Sequence, residues 1–156
     1  MTIDSVRAFM AEHAPDIAIV ETAGSSATVP LAAAAHGVAT GQIAKTLSLR
    51  LGEEVVLVVA SGDARLDNKK CKSAFGVKPR MLGLEEVAAL TGHPVGGVCP
   101  FGLAQPLRIL CDVSLKAYDV VVPAAGSINS ALFITPDRLA SITGAAWVDV
   151  CQDPAA

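Results

Sequence analysis

Hydrophobic residues recur at helical spacing near the start of the chain. Val6, Phe9 and Met10 fall on one side of a helix over residues 4–13. Asp4 stands where an N-cap residue is favoured. The pattern predicts an amphipathic helix that buries one face and is capped by Asp4.

A second helix is predicted over residues 28–37, after a strand over residues 17–22. Thr28 is placed as its N-cap, Pro30 lies in its first turn, and Gly37 ends it. Its run of alanines favours close packing against a neighbouring element.

Strand-like alternation begins at residue 43. Residues 43–51 alternate in polarity, and a second strand-like run over residues 53–62 follows after a short connection, which predicts a β-hairpin. One face of the first strand carries Ile43, Lys45, Leu47, Leu49 and Leu51. Lys45 is the exception on this apolar face, because a buried ammonium group is costly unless it has a partner. The alternative is that its stem carries the charge to solvent at the strand end.

The sequence pattern of the second half of the chain predicts short helices and strands. Helices are predicted over residues 67–76, 84–92 and 136–143, with Asp67 as an N-cap, Gly76 as a stop and Pro136 as a first residue. Strands are predicted over residues 80–83, 106–112, 118–124, 130–135 and 145–150, with a tight link over residues 113–117. This order lacks sustained alternation of strands and helices. It favours an α+β fold with a mixed, largely antiparallel sheet, in a single domain over residues 1–156.

Composition restricts the class of protein. Of the 156 residues, 52% are hydrophobic and 17% are charged, which excludes a disordered chain and favours one packed core. No apolar run approaches the ~20 residues that span a bilayer, and the first residues lack the pattern of a secretory signal. The net charge of −3 argues against a broad nucleic-acid surface. We therefore expect a cytoplasmic protein with neither a membrane nor DNA as a partner.

The four cysteines are scattered, with no CxxC pair and no histidine at ligand spacing. The chain also lacks the glycine-rich motifs of dinucleotide and P-loop sites. We therefore expect no metal and no cofactor. Cys99 is the cysteine with a candidate chemical role, but no histidine close to it in sequence is an evident base.

Residues 92–103 contain four glycines and two prolines. Glycine permits close backbone approach and proline fixes φ, so this loop has a defined main chain with few side chains. Such a loop suits a ligand that contacts the main chain, and an ordinary turn is the alternative.

A second local feature is basic, because six of the twelve Lys and Arg residues lie between Arg65 and Arg80. A solvated helix face is the ordinary explanation of such a run. A patch that contacts phosphate is the alternative.

Three motifs in a fixed order resemble those of the YbaK/ProX family of aminoacyl-tRNA deacylases, relatives of the editing insertion of prolyl-tRNA synthetase. They are Lys45-Thr46 on the first long strand, the helix start from Asp67 to Lys70, and the G-x-x-x-P loop from Gly96 to Pro100. The resemblance covers residues 27–150. It implies a partly open barrel surrounded by helices.

The resemblance also implies a trans-editing hydrolase that uses no metal. It would cleave the ester between a wrongly attached amino acid and the 3′-terminal adenosine of a tRNA. The expected substrate is a small amino acid (Ala, Ser, Thr or Cys) on tRNA-Pro. The expected partners are the acceptor end of that tRNA and a synthetase such as prolyl-tRNA synthetase. A module of the same fold that only docks to tRNA or a synthetase is the alternative.

Within this resemblance, the loop receives the aminoacyl group. The amides of Gly96, Gly97 and Val98 are candidate donors to an oxyanion, and Lys45 positions the substrate or the attacking water. The further substrate-binding candidates are Thr46, Cys99, Pro100, Phe101, Gly102, Asp112 and Ser127, and the tRNA-contact candidates are Lys69, Lys70 and Lys72. Phe101 is also expected to pack under the loop. Turn roles are the alternative for Asp112 and Ser127, and a nucleophilic Cys99 is the alternative mechanism.

Overall fold

The computed structural model describes residues 2–153. The helices of this range are α1 (Thr2–His13), α2 (Val29–His36), α3 (Asn68–Phe75), α4 (Leu84–Thr91) and α5 (Pro136–Thr143). The strands are β1 (Val20–Glu21), β2 (Ile43–Leu51), β3 (Glu54–Ser61), β4 (Arg80–Met81), β5 (Arg108–Asp112), β6 (Val122–Pro123), β7 (Ser130–Ala131) and β8 (Ala146–Val148). Short 3-10 helices cover Thr40–Gln42 and Val113–Ala117. Met1 and residues 154–156, which the single-domain prediction includes, lie outside the described range.

The helix ends follow most of the capping signals of the sequence. The side chains of Thr28 and Asp67 cap α2 and α3, and Gly37 and Gly76 end the same helices in the left-handed conformation. The N-cap predicted at Asp4 is wrong, because α1 begins earlier and Asp4 lies in its first turn. A carboxylate there still favours the positive end of the helix dipole. Within residues 2–153, no helix combines the length and the apolar character needed to cross a membrane.

The predicted hairpin of β2 and β3 forms the centre of a mixed sheet with the strand order β4-β2-β3-β5-β8. β6 pairs in parallel with the start of β2, and β4 pairs antiparallel with its end. β5 is parallel to β3 and to β8, because the chain returns through helices before it rejoins the sheet. The α+β fold and the mixed sheet are confirmed. The sheet does not close into a barrel.

The hairpin packs against a different apolar cluster on each side. Leu49 and Val58 belong to a cluster that also contains Cys71 of α3. Val59 belongs to a second cluster that is completed by α1 residues such as Val6. The buried residues Ile43 and Ala44 at the start of β2 line a cavity, and this is where the candidate site lies.

Candidate functional site

A cavity of about 290 Å³ opens between the start of β2, the segment before α2 and the glycine-rich loop. Lys45 and Thr46 line it from β2, and Gly96 and Val98 line it from the loop. The structure therefore brings together two motifs that are far apart in sequence. Small and apolar side chains complete the wall, among them Ala27, Val29, Ala32, Val87, Val122, Ala124 and Ala131.

Lys45 lines this cavity, and its ammonium group is held by main-chain carbonyl oxygens. Its Nζ donates to the carbonyl oxygens of Ala64 at 2.5 Å and Gly62 at 3.3 Å. An ammonium group has three N–H donors, so one remains for a ligand. Burial lowers the pKa of Lys45 below its ordinary value. The charge is therefore bound by main-chain oxygens.

Hydrogen bonds within the glycine-rich loop fix its shape. Gly97 N donates to Pro94 O at 2.9 Å, His93 Nε2 to Phe101 O at 2.6 Å, and Ala104 N to Thr91 O at 2.9 Å. Gly97 also lies directly against the following segment, since a Cβ at Gly97 would be 2.7 Å from Ser127 N. Gly96 has a φ of 89°, a conformation that side chains disfavour. The loop is stiff and requires glycine at both positions.

The loop offers two of the three predicted oxyanion donors. The amide of Gly97 is already used by Pro94 O, so this candidate is wrong: the turn consumes its N–H. The amides of Gly96 and Val98 have no acceptor within residues 2–153. Both residues line the cavity with Lys45.

The last part of the loop turns into the core instead of the cavity. Cys99 and Phe101 have 0% exposure, and Pro100 is buried. Gly102 packs on α1, where a Cβ would be 2.5 Å from the carbonyl of Ser5. The predictions that these four residues contact substrate are wrong, because the chain turns inward after Val98. Phe101 packs under the loop as predicted.

Cys99 has a histidine neighbour that was not evident from sequence spacing. His93 Nε2 lies 3.6 Å from Cys99 Sγ. The same nitrogen donates to Phe101 O, so it already carries a proton and cannot take one from the thiol. Burial raises the pKa of Cys99 to about 12 and lowers that of His93. The pair is a neutral packing contact, which argues against the alternative mechanism with a nucleophilic Cys99.

Asp112 has the structural role that was the alternative for it. Its buried carboxylate accepts from Ser114 N at 2.9 Å and from Val150 N at 2.8 Å. It lines a different cavity from that of Lys45. The prediction that Asp112 binds substrate in the loop cavity is wrong, since both oxygens hold the backbone.

Ser127 lies one side chain away from the cavity. Its hydroxyl donates to Asn129 Oδ1 at 3.0 Å and is 2.6 Å from Ser130 Oγ. Ser130 lines the cavity, whereas Ser127 does not. The structure thus places Ser130 in the wall of the cavity and Ser127 next to it, outside the wall. Within residues 2–153, no three His, Cys, Asp or Glu side chains are grouped so that they could hold a metal ion.

The three candidate tRNA-contact lysines differ in their surroundings. Lys70 forms salt bridges with Asp153 at 2.7 Å and Asp149 at 3.0 Å, which raise its pKa above its ordinary value. These carboxylates neutralise its charge locally. Lys69 and Lys72 are exposed on α3 and remain the candidates for contact with phosphate.

Several wall residues were not predicted from the sequence. Ser26 and Ala27 approach the loop from the segment before α2, and Met81, Leu84 and Val95 form an exposed apolar rim. The run of small residues before Thr28 was the available signal, since it allows close approach. Thr46 was predicted, and its Oγ1 is buried with no partner within residues 2–153.

The family described as the aminoacyl-tRNA editing domain matches residues 24–142. The chain is 47% identical to the "Uncharacterized protein YwhH" of Bacillus subtilis (strain 168), over 98% of this chain and 99% of that protein. It is 28% identical to the "Putative Cys-tRNA(Pro)/Cys-tRNA(Cys) deacylase EbsC" of Enterococcus faecalis (strain ATCC 700802 / V583), over 73% of this chain and 71% of that protein. The solved structure of "a putative trans-editing enzyme for prolyl tRNA synthetase" superposes with a TM-score of 0.89 at 32% identity, over 97% and 98% of the two chains.

Proposed function

Because the chain belongs to the aminoacyl-tRNA editing domain family, we propose that it is a trans-editing deacylase for a small amino acid wrongly attached to tRNA-Pro. The family supports hydrolysis of an aminoacyl-tRNA ester as the reaction. The amino acid, the tRNA and the absence of a metal from the mechanism are our proposal. One observation carries it: Lys45, Gly96 and Val98 line one cavity, and the amides of Gly96 and Val98 have no acceptor within residues 2–153.

Cavity size and lining support a small aminoacyl group. The cavity of about 290 Å³ accommodates such a group, and alanine, valine, serine and threonine form much of its wall. Alanine, serine, threonine and cysteine all fit this volume. Methyl-sized differences in such a pocket are worth about 1–3 kcal/mol, so the selection among them is modest. The buried hydroxyl of Thr46 is the polar wall atom that a substrate group would satisfy.

The proposed reaction is attack of water on the ester carbonyl carbon. Negative charge then develops on the carbonyl oxygen, where the amides of Gly96 and Val98 would donate to it. Loss of one such donor costs about 2.7–4 kcal/mol of transition-state stabilisation in other hydrolases. These amides need no reorganisation, because the loop is already fixed by its own hydrogen bonds.

Lys45 positions the reacting groups in this proposal. Two of its N–H groups bind the main chain, and the third would donate to the ester or to the attacking water. The bond between the acyl carbon and the ribose oxygen then breaks. The leaving ribose oxygen takes a proton, with the neighbouring ribose hydroxyl assisting the transfer. The products are a free amino acid and an uncharged tRNA.

A synthetase partner is consistent with the charge of the chain. The net charge of −3 gives little general attraction to a polyanion. We propose that Lys69 and Lys72 make local phosphate contacts, and that a synthetase such as prolyl-tRNA synthetase supplies further affinity.

A deacylation panel tests the function. tRNA-Pro charged with alanine, serine, threonine, cysteine or proline is incubated with the protein in the presence of EDTA, and release of labelled amino acid is followed. We expect release of at least one small amino acid above the buffer rate. Absence of release from every tRNA contradicts the proposal. If tRNA binding were then found to be tight and salt-dependent, the docking module would be the better explanation.

A further inference from the structure

A second cavity, of about 680 Å³, lies beside the first and has no role in the mechanism above. Ala64 forms part of its wall, and the carbonyl oxygen of Ala64 accepts from Lys45 Nζ. Lys45 itself lines the first cavity, so the two cavities meet at this hydrogen bond. We propose that the second cavity binds the 3′-terminal nucleoside monophosphate of the tRNA, an inference that rests on the proposed function.

The positions of the two cavities favour this division of the substrate. The proposed function places the aminoacyl group in the first cavity, of about 290 Å³, which Lys45 and the glycine-rich loop line. The second lies within the range of about 300–1,000 Å³ that is common for small-molecule sites. The ester joins the two parts of the substrate. With the ester at Lys45, the ribose must continue toward one of the neighbouring surfaces, and the second cavity is the one that begins at Ala64.

Three side chains of the second cavity match the three parts of a nucleotide. Tyr118 offers an aromatic face on which a base can stack. The carboxylate of Asp63 can accept from ribose hydroxyls, and the guanidinium of Arg65 can bind a phosphate through two N–H groups. Asp63 and Arg65 flank Ala64, whose carbonyl oxygen binds Lys45 Nζ, so the ribose and phosphate groups would lie next to the ester.

Gly41 allows two of these side chains to converge. A Cβ at Gly41 would lie 2.5 Å from the hydroxyl oxygen of Tyr118 and 2.8 Å from Asp63 Oδ2. Any side chain at this position would therefore push both groups apart. Thr40 fixes the same carboxylate, because its Oγ1 donates to Asp63 Oδ1 at 2.7 Å. The aromatic and acidic groups are thus placed together by the backbone.

The other acidic groups of the cavity already have hydrogen-bond or salt-bridge partners. Asp112 accepts two backbone amides, and Asp149 and Asp153 both bind Lys70. Arg65 takes part in none of the salt bridges formed between residues 2 and 153 and is exposed. Its charge is therefore available to an incoming phosphate.

Titration with adenosine 5′-monophosphate tests the site without requiring catalysis. Amide shifts of the ¹⁵N-labelled protein are followed, with adenosine and inorganic phosphate as reference ligands. We expect saturable shifts at residues 61–65 and 114–118, and none at residues 95–98. Arg65→Ala should weaken nucleotide binding about tenfold and adenosine binding much less, because a charged hydrogen bond to phosphate is lost. Tyr118→Leu, which keeps an apolar side chain in place, should weaken both ligands.

Arg108→Ala is the matched control, since Arg108 is exposed at the start of β5 and lines neither cavity. It should leave nucleotide affinity unchanged. Equal weakening by Arg65→Ala and Arg108→Ala, shifts confined to the first cavity, or no saturable binding would each overturn the inference. Deacylation without nucleotide binding here would reject this site alone. Nucleotide binding here without release of any amino acid would support the site and reject the proposed function.

Discussion

The Nε2 atom of His93 lies 3.6 Å from the Sγ atom of Cys99, and both side chains are buried in the core beneath the loop. A cysteine and a histidine at this distance invite comparison with a catalytic pair. Here the imidazole N–H is directed at Phe101 O, and burial raises the pKa of the thiol to about 12. The pair therefore stabilises the loop and does not supply a nucleophile.

Substitution of Cys99 should leave deacylation in place. Cys99→Ser and Cys99→Ala are both expected to keep the rate of amino-acid release, because the thiol is neutral and outside the cavity. Their cost should appear in stability, at about 1–3 kcal/mol for a serine hydroxyl without a good partner. Rate measurements and urea unfolding check this. A folded Cys99→Ala protein without activity would restore the nucleophile hypothesis.

Protonation of His93 should destabilise the protein in acid. Burial lowers its folded-state pKa below 6.5, so the unfolded chain binds the proton first. This contribution to stability is complete above about pH 6.5 and is lost as the pH falls toward the folded-state pKa, at up to about 1.4 kcal/mol per pH unit. His93→Gln, which can keep a donor to Phe101 O, should reduce this loss in unfolding experiments from pH 7 to pH 5.

His36→Gln is the comparison for that experiment, since burial lowers the pKa of His36 as well. His36 lies near Phe133 at the surface end of α2 and is less buried than His93. We expect His36→Gln to change the loss of stability between pH 7 and pH 5 less than His93→Gln does. If His93→Gln lost as much stability over this range as the unsubstituted protein, the prediction would be contradicted.

Removal of the Lys45 charge should abolish editing without unfolding the protein. Lys45→Met keeps an unbranched apolar side chain, while all three N–H donors are lost. We expect deacylation to fall by about a hundredfold or more, as for the loss of a transition-state donor. Lys78→Met, an exposed lysine outside both cavities, should have no comparable effect. A folded Lys45→Met protein with normal activity would refute the proposed role.

The two glycines Gly97 and Gly83 should respond differently to a methyl group. A Cβ at Gly97 would be 2.7 Å from Ser127 N, so Gly97→Ala must displace the loop. We expect a loss of about 1–3 kcal/mol in stability together with a loss of activity. At Gly83, which has a φ of −67°, no atom of residues 2–153 outside its chain neighbours lies within 4 Å of the new atom. Gly83→Ala should keep the activity and lose less than about 1 kcal/mol of stability, because glycine is preferred to alanine at the N-cap of α4. Thermal unfolding and rate assays check the comparison.

Removal of the Thr46 hydroxyl should slow release of the amino acid and have little effect on the stability of the fold. Thr46→Val removes a buried oxygen that has no partner within residues 2–153, so we expect the stability to stay constant or to rise. Release of the preferred amino acid should slow by about tenfold if that oxygen binds the substrate. Thr91→Val is the control, because Thr91 Oγ1 donates to Val87 O at 2.6 Å and accepts from His93 N at 3.1 Å. This variant should be less stable by about 1–3 kcal/mol.

Local signals in the sequence predicted most of the secondary structure. The caps at Thr28 and Asp67 act within one turn of helix, and the β2–β3 hairpin follows from alternation and a short turn. Such signals depend on neighbours in the chain, so no tertiary information is needed to read them. The parallel pairing of β3 with β5 was not visible in this way, because it joins strands separated by two helices.

For the site, the sequence by itself determined which motifs are candidates for chemistry. A lysine on an apolar strand face is unusual because desolvation of its charge is costly. A loop of glycine and proline is unusual because it defines the main chain with few side chains. Only the tertiary structure decided which atoms of those motifs face a ligand. Gly97 follows Gly96 directly, yet its amide donates to Pro94 O. Cys99 follows Val98 directly, yet its side chain is buried in the core. Direction of a donor or side chain depends on the path of the folded backbone, and that path is fixed by long-range packing against Ser127 and α1.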